Sequence, residues 1–246
     1  MIFGSDIKLS DEGLLVFAKG IEHPDKPHIC YSGQLTPVLY SQNGITDSPL
    51  YYIYEDVYYK KDKEIFKNHS LQYNITVLRP GLIGNEFIKT AGHFHPLKNT
   101  GKETYSEYHE VLSGEAIFLL QSNDRNDDVE DAIAIEAKTG DKVYIPSNYG
   151  HVLINAGENF LVVAHIFEVS LPSTNESFAE KCGAAYFYVQ NKDGKADWIK
   201  NPNYKNSVGL KIKAAPKLTQ EISEVNDNNL YSAFIKNPSA FNILTN

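Results

Sequence analysis

Apolar residues in this chain come in short runs of aromatic and β-branched side chains separated by turn formers, and no run carries a long 3.6-residue period. Residues 51–59 are aromatic and strand-like. A polar connection or short helix, KKDKEIFKNHS, follows, and then LQYNITVLR at residues 71–79, which ends at the Pro80-Gly81 turn. After GNEFIKTAGHFHP and a loop over residues 97–102, SEYHEVLSGEAIFLLQ reads as two strands about a tight turn at Ser113-Gly114. SNDRNDDVED is an acidic, solvated loop. AIAIEAKTGDKVYIP gives two strands turning at Thr139-Gly140-Asp141, and HVLIN, FLVVAHIFE and AAYFYVQ supply three more. The first fifty residues, punctuated by Gly33, Pro37, Asn43-Gly44 and Ser48-Pro49, read as short strands and loops. Many short strands at this spacing predict an all-β sandwich or barrel.

Beyond residue 204 the texture changes. Residues 216–246 are polar and rich in Asn, with apolar positions at Ile222, Val225, Leu230, Phe234 and Phe241, a pattern that suits an amphipathic helical tail packed on the barrel or on a partner subunit. The expected organisation is therefore N-terminal strands over residues 1–50 within the same domain, a barrel over 51–204 and an extension over 205–246.

Composition narrows the function. A net charge of −8 with guanidinium groups at Arg79 and Arg125 alone argues against a nucleic-acid partner, which needs clustered cations. Phosphate on a substrate would have to be held by backbone N–H groups, hydroxyls or a few lysines. No apolar stretch approaches the ~20 residues of a membrane span, and MIFGSDIKLSDEG lacks the layout of a signal peptide, so a cytoplasmic location is expected. Cys30 and Cys182 form no spaced motif and read as free thiols.

The eight histidines carry the chemistry. His93 and His95 stand two apart in TAGHFHP and would share one face of a strand, as would Glu107 and His109 in the next. Farther on, Gly140, Pro146, His151 and Asn155 are spaced so that a proline ends one strand and His151 opens its return. Three imidazoles and a carboxylate suit a divalent first-row cation with positions left open for substrate or water.

These two segments resemble the paired motifs of the cupin superfamily, whose double-stranded β-helix, a jelly-roll barrel, carries a metal in its mouth. The second motif fits except that Asn148 stands where glycine is usual. The first is stretched, because residues 96–106 separate His95 from Glu107 where the superfamily has a much shorter gap. Glu103 is thus a rival ligand, and Glu107 is preferred for its spacing to Gly114. Within the superfamily, TVLRPGLIGNEFIKTAGHFHP is similar to a block of the cupin-type phosphoglucose isomerases, and the likeness covers residues from about 50 to 204.

The resemblance implies His93, His95, Glu107 and His151 as ligands of one divalent transition metal (Fe, Mn, Zn or Ni). It also implies Thr76, Thr90 and Gly92 around the substrate phosphate, and, on a looser match, Tyr52. It departs at His109, where the family has tyrosine, and at Phe167 and Ser173, which fall where tyrosine and histidine are usual. The implied activity is the interconversion of glucose 6-phosphate and fructose 6-phosphate, by proton transfer through Glu107 or by hydride shift. Strand parity adds His109 as a second candidate base. The alternative is a cupin metalloprotein that acts on or binds another sugar or sugar phosphate. A homodimer is expected by analogy with cupins.

Overall fold

The computed structural model describes residues 5–42, 45–124, 128–169, 176–205, 208–217 and 229–245. The Asn43-Gly44 turn, Arg125, Ser173 and the apolar positions Ile222 and Val225 lie outside the described residues. Short strands β1 (Ile7–Leu9), β2 (Leu15–Phe17) and β3 (Ile21–Glu22) lead to β4 (His28–Tyr31) and the single turn α1 (Ser32–Leu35). The aromatic run at 51–59 is broken by Asp56, whose φ of 54° is left-handed, so it divides into β5 (Pro49–Tyr54) and β6 (Tyr58–Tyr59). KKDKEIFKNHS forms a 3-10 turn and α2 (Lys63–Asn68), and β7 (Leu71–Leu78) follows.

The hairpin of β8 (Leu82–Ile83) and β9 (Glu86–Phe87) precedes the histidine-bearing segment. Next come β10 (Glu107–Ser113), β11 (Glu115–Asn123), β12 (Val129–Lys138), β13 (Lys142–Ile145), β14 (Gly150–Asn155) and β15 (Leu161–Glu168). The chain continues through α3 (Glu176–Glu180), β16 (Tyr186–Gln190), β17 (Ala196–Lys200) and β18 (Lys211–Ala214), and closes with α4 (Leu230–Lys236) and a 3-10 stretch, Pro238–Leu244. The β10–β11 turn needs its glycine: Gly114 has φ +98°, and a Cβ there would meet Phe160 O at 3.0 Å.

Two sheets build the barrel. One runs β13-β10-β15-β7-β5-β4 and the other β14-β11-β12-β18. Neighbours are antiparallel throughout except β12 with β18. This is the jelly-roll arrangement expected from the cupin motifs.

Strand alternation gives the six-stranded sheet two buried faces. Tyr73, Ile75 and Val77 of β7, Tyr108 of β10, and Val162, Ala164 and Ile166 of β15 face outward. They are covered by Ile7, Leu15 and Ile21 from the N-terminal strands and by Leu230, Phe234, Phe241 and Leu244 from the tail. The tail is thus a helix packed on the barrel. Asn229 Oδ1 caps α4 by accepting from Ser232 N at 2.8 Å, and Glu110 Oε2 on β10 accepts from Leu230 N at 2.6 Å. Each large apolar side chain buried there contributes about 1.5–3 kcal/mol. The opposite face packs in part on the second sheet and in part lines a cavity.

Candidate metal centre

Polar residues gather on the inward face of the six-stranded sheet beside apolar ones such as Ile53 and Val163. Gln72, Asn74 and Thr76 of β7, Glu107 and His109 of β10, and His165 and Phe167 of β15 open onto a cavity of about 480 Å³, within the usual range for a small-ligand site. The segment from Thr90 to His95 forms its floor by pairing with β14: His93 N donates to His151 O at 3.2 Å, and His151 N returns the bond to His93 O at 3.0 Å. That bridge brings the two histidine motifs together. The ring centroids of His93 and His95 lie 5.0 Å apart, and those of His93 and His151 4.5 Å.

Glu107 stands among these rings. Its Oε2 is 3.3 Å from both His95 Nε2 and His151 Nε2, and one donor atom each from His93, His95, Glu107 and His151 lies within 4.8 Å of all the others. Its Oε1 faces the other way, 3.3 Å from His109 Nε2 and 2.6 Å from His165 Nδ1. His95 is oriented from behind by Tyr105 O, 3.1 Å from its Nδ1. Glu103 is exposed on the inserted loop and outside the cluster, so of the two rival carboxylates only Glu107 reaches the imidazoles.

The two departures from the cupin pattern offset each other. Asn148 takes a left-handed φ of 67°, which asparagine tolerates better than most residues. Its side chain accepts from Thr104 N at 3.0 Å while its own N–H donates to Thr104 Oγ1 at 2.6 Å. The asparagine thereby ties down the loop that lengthens the first motif. Asn155 ends β14 by donating to Leu78 O, Arg79 O and Asn159 O at 3.2, 3.0 and 2.9 Å.

The protonation states suit a cation. Burial, with His95 beside it, pushes His93 down to about 3. Burial first and neighbouring imidazoles second also lower His151 and His109. Burial alone would raise Glu107, but His109, His165 and His95 hold it well below the usual carboxylate range. Neutral imidazoles around an anionic carboxylate are what a divalent ion requires of its ligands. Two ligands about 2.05 Å from one tetrahedral ion stand about 3.3 Å apart, close to the separations at Oε2. His151 Nδ1 and His109 Nδ1 are buried without a hydrogen-bond partner among the described residues, a cost of about 1–3 kcal/mol each that a bound group would relieve. The residues fit a metal.

Around this floor, Thr76, Thr90 and Gly92 line the cavity wall. Thr90 Oγ1 accepts from Leu153 N at 3.0 Å, leaving its hydrogen available to a ligand oxygen. Tyr52 does not join them, which corrects the looser match. Alternation along β5 turns Tyr51 and Ile53 into the cavity and packs Tyr52 into the outer core. Phe167 does line the cavity, stacked on His165 with ring centroids 5.3 Å apart. His165 joins the cavity wall as well, and its signal in the sequence is a lone histidine in the apolar run FLVVAHIFE. No lysine or arginine lines the cavity among the described residues, and Cys30 on its wall is a free thiol, as is the exposed Cys182.

A jelly-roll barrel whose mouth gathers three imidazoles and a carboxylate on its two sheets is a cupin. The family model described as Glucose-6-phosphate isomerase (GPI) matches residues 35–206, starting earlier than the motif likeness and taking in β5 as well as the whole histidine cluster. The chain belongs to that family. It is 30% identical over 154 residues to the glucose-6-phosphate isomerase of Pyrococcus horikoshii, covering 63% of this chain and 74% of the relative. For the Pyrococcus furiosus enzyme of the same name the figures are 30% over 153 residues, 62% and 73%. Among solved structures, oxalate decarboxylase from Bacillus subtilis at pH 4.6 aligns with a TM-score of 0.38 and 20% identity over 55% of this chain and 30% of that one, a likeness too distant to bear on function. No helix among the described residues is long and apolar enough to cross a membrane.

Proposed function

We propose that the protein is a metal-dependent aldose–ketose isomerase interconverting glucose 6-phosphate and fructose 6-phosphate. The observation that carries this reading is the convergence of His93, His95, Glu107 and His151 on the floor of a cavity whose wall presents Thr76, Thr90 and Gly92. Relatives named glucose-6-phosphate isomerase support it over the alternative of a cupin acting on another sugar. A bound divalent cation would act as a Lewis acid on the sugar carbonyl.

The chain's own groups do the rest. The Thr90 hydroxyl and backbone N–H groups of the wall bind the phosphate without a cationic side chain. Burial pushes Tyr51 well above the ordinary tyrosine range, so it meets the sugar as a neutral hydroxyl. Glu107, held by its imidazoles, is a poor free base, whereas His109 lines the same cavity with Nδ1 unpartnered among the described residues and Nε2 3.3 Å from Glu107 Oε1. In the aldose-to-ketose direction His109 takes the proton from C2 and returns it to C1, while the hydroxyl proton at O2 passes to O1. Atoms balance, and no external reductant is needed.

Turnover of fructose 6-phosphate in a coupled assay, lost with EDTA and restored by Mn²⁺, Fe²⁺, Zn²⁺ or Ni²⁺, is the expected result. His93→Ala should abolish both metal binding and turnover with the fold retained. A fully active His93→Ala would overturn the ligand assignment, and metal binding without turnover would favour the alternative.

A further inference from the structure

We infer that His165 is a positioning residue for the cation: it holds one oxygen of Glu107 and so reserves the other for the metal, and Thr76 holds His165 in turn. The inference rests on the metal centre proposed above and not on the identity of the sugar. A carboxylate oxygen has no hydrogen to give, so the 2.6 Å contact to Glu107 Oε1 fixes His165 Nδ1 as the donor. The tautomer with its proton on Nδ1 leaves Nε2 as an acceptor. Thr76 Oγ1, 3.2 Å away, gives it its only hydrogen. The other carboxylate oxygen, Oε2, faces His95 and His151 at 3.3 Å.

The ring is clamped as well as bonded. Backbone pairing sets His165 opposite His109, and the two imidazoles stack with centroids 5.3 Å apart and planes inclined by 7°. Phe167 stacks on the same ring at 5.3 Å and 12°. His109 and Phe167 thus hold between them a histidine that aims the carboxylate of Glu107. The hydroxyl of Thr76 is spent on this relay, which leaves Thr90 to serve the phosphate. Glu107, His109 and His165 also bring donor atoms within 4.8 Å of one another, close enough to hold a second ion, but 2.6 Å is a hydrogen-bond distance and shorter than the spacing of two ligands on one cation.

The test is Mn²⁺ affinity, read by the loss of the free-ion EPR signal, together with the rise in melting temperature that Mn²⁺ gives over the EDTA-treated protein. His165→Ala should weaken Mn²⁺ binding by about 10- to 100-fold, the usual cost of removing a group that orients a ligand. His165→Asn places an amide N–H near the lost Nδ1 and should recover most of that affinity. Thr76→Val, which keeps side-chain volume, should weaken Mn²⁺ binding less than His165→Ala, because it acts one step further from the carboxylate. Equal affinity in His165→Ala and wild type overturns the inference. So does a His165→Asn no better than alanine, or two Mn²⁺ per wild-type chain. A wild type that binds Mn²⁺ but isomerises no sugar phosphate overturns the proposed reaction and leaves the positioning role standing. One that holds no ion overturns both.

Discussion

Gly92 sits one residue before His93, the first of the proposed metal ligands, and its substitution by alanine separates two reasons for a glycine there. One is close approach of a ligand, as the family resemblance implies. The other is packing. Gly92 has φ +76°, and a Cβ on it would lie 2.5 Å from Val152 Cγ2 and 3.0 Å from both His151 O and Phe178 Cδ2. The left-handed backbone costs an alanine about 1–2 kcal/mol. Relieving the overlap requires a rotamer change at a buried valine or a shift of the β14 backbone, about 1–3 kcal/mol more. The total of about 2–5 kcal/mol corresponds to a melting-temperature drop of about 5–15 °C for a chain of this length. Because His151 O accepts the hydrogen bond from His93 N, the shift falls on two of the proposed ligands at once, and Mn²⁺ affinity should fall with stability. Calorimetry of the metal-free and Mn²⁺-loaded variant reads both quantities. A Gly92→Ala protein that melts within about 1 °C of wild type, with only KM for fructose 6-phosphate raised, would refute the packing argument.

Phe234 of α4 is fully buried, its ring 4.6 Å from Phe66 and 5.2 Å from Phe241, so Phe234→Ala should cost about 3–5 kcal/mol in chemical denaturation. Mn²⁺ affinity should stay as in wild type, since α4 packs on the sheet face opposite the site. Glu55 lines the cavity, which has no lysine or arginine among its described residues, so Glu55→Gln should lower KM for a dianionic sugar phosphate. At a separation of about 8 Å, screened by physiological salt, the effect is about two- to threefold, and an unchanged KM at low ionic strength would place the phosphate elsewhere. The metal-free protein should lose stability in acid. His93, held near 3 in the fold against about 6.5 unfolded, lets the unfolded chain bind the extra proton, so stability is intact above about 6.5 and declines as pH falls below it. By pH 5 the loss is about 1–2 kcal/mol after allowance for partial exposure, and His93→Asn should flatten the slope; an equal slope in both proteins would refute it.

The strands, their turns and the tail helix were legible because each is announced locally. Pro80-Gly81, Ser113-Gly114 and Thr139-Gly140-Asp141 end runs that the backbone does end, and the apolar spacing of Leu230, Phe234 and Phe241 marks the face that α4 and the 3-10 turn bury. The histidines His93, His95 and His151 were legible for the same reason, since each lies in a short motif whose spacing is its signal.

What escaped depends on alternation combined with non-local pairing. Tyr52 and Tyr51 are adjacent and chemically alike, and only the phase of β5 decides which hydroxyl meets the cavity. His165 lies far from Glu107 in the chain, and nothing in FLVVAHIFE states that β15 will pair with β10 in a register that sets it against His109. A one-residue slip of either strand would turn His165 into the outer core and leave a buried imidazole among Tyr108, Ile166 and the tail. The six-stranded sheet is apolar on its outer face, with both terminal segments packed against it, and that face penalises such a slip. The termini therefore do more than cover the barrel: by fixing which face of β10 and β15 points outward, they fix which histidines reach the carboxylate.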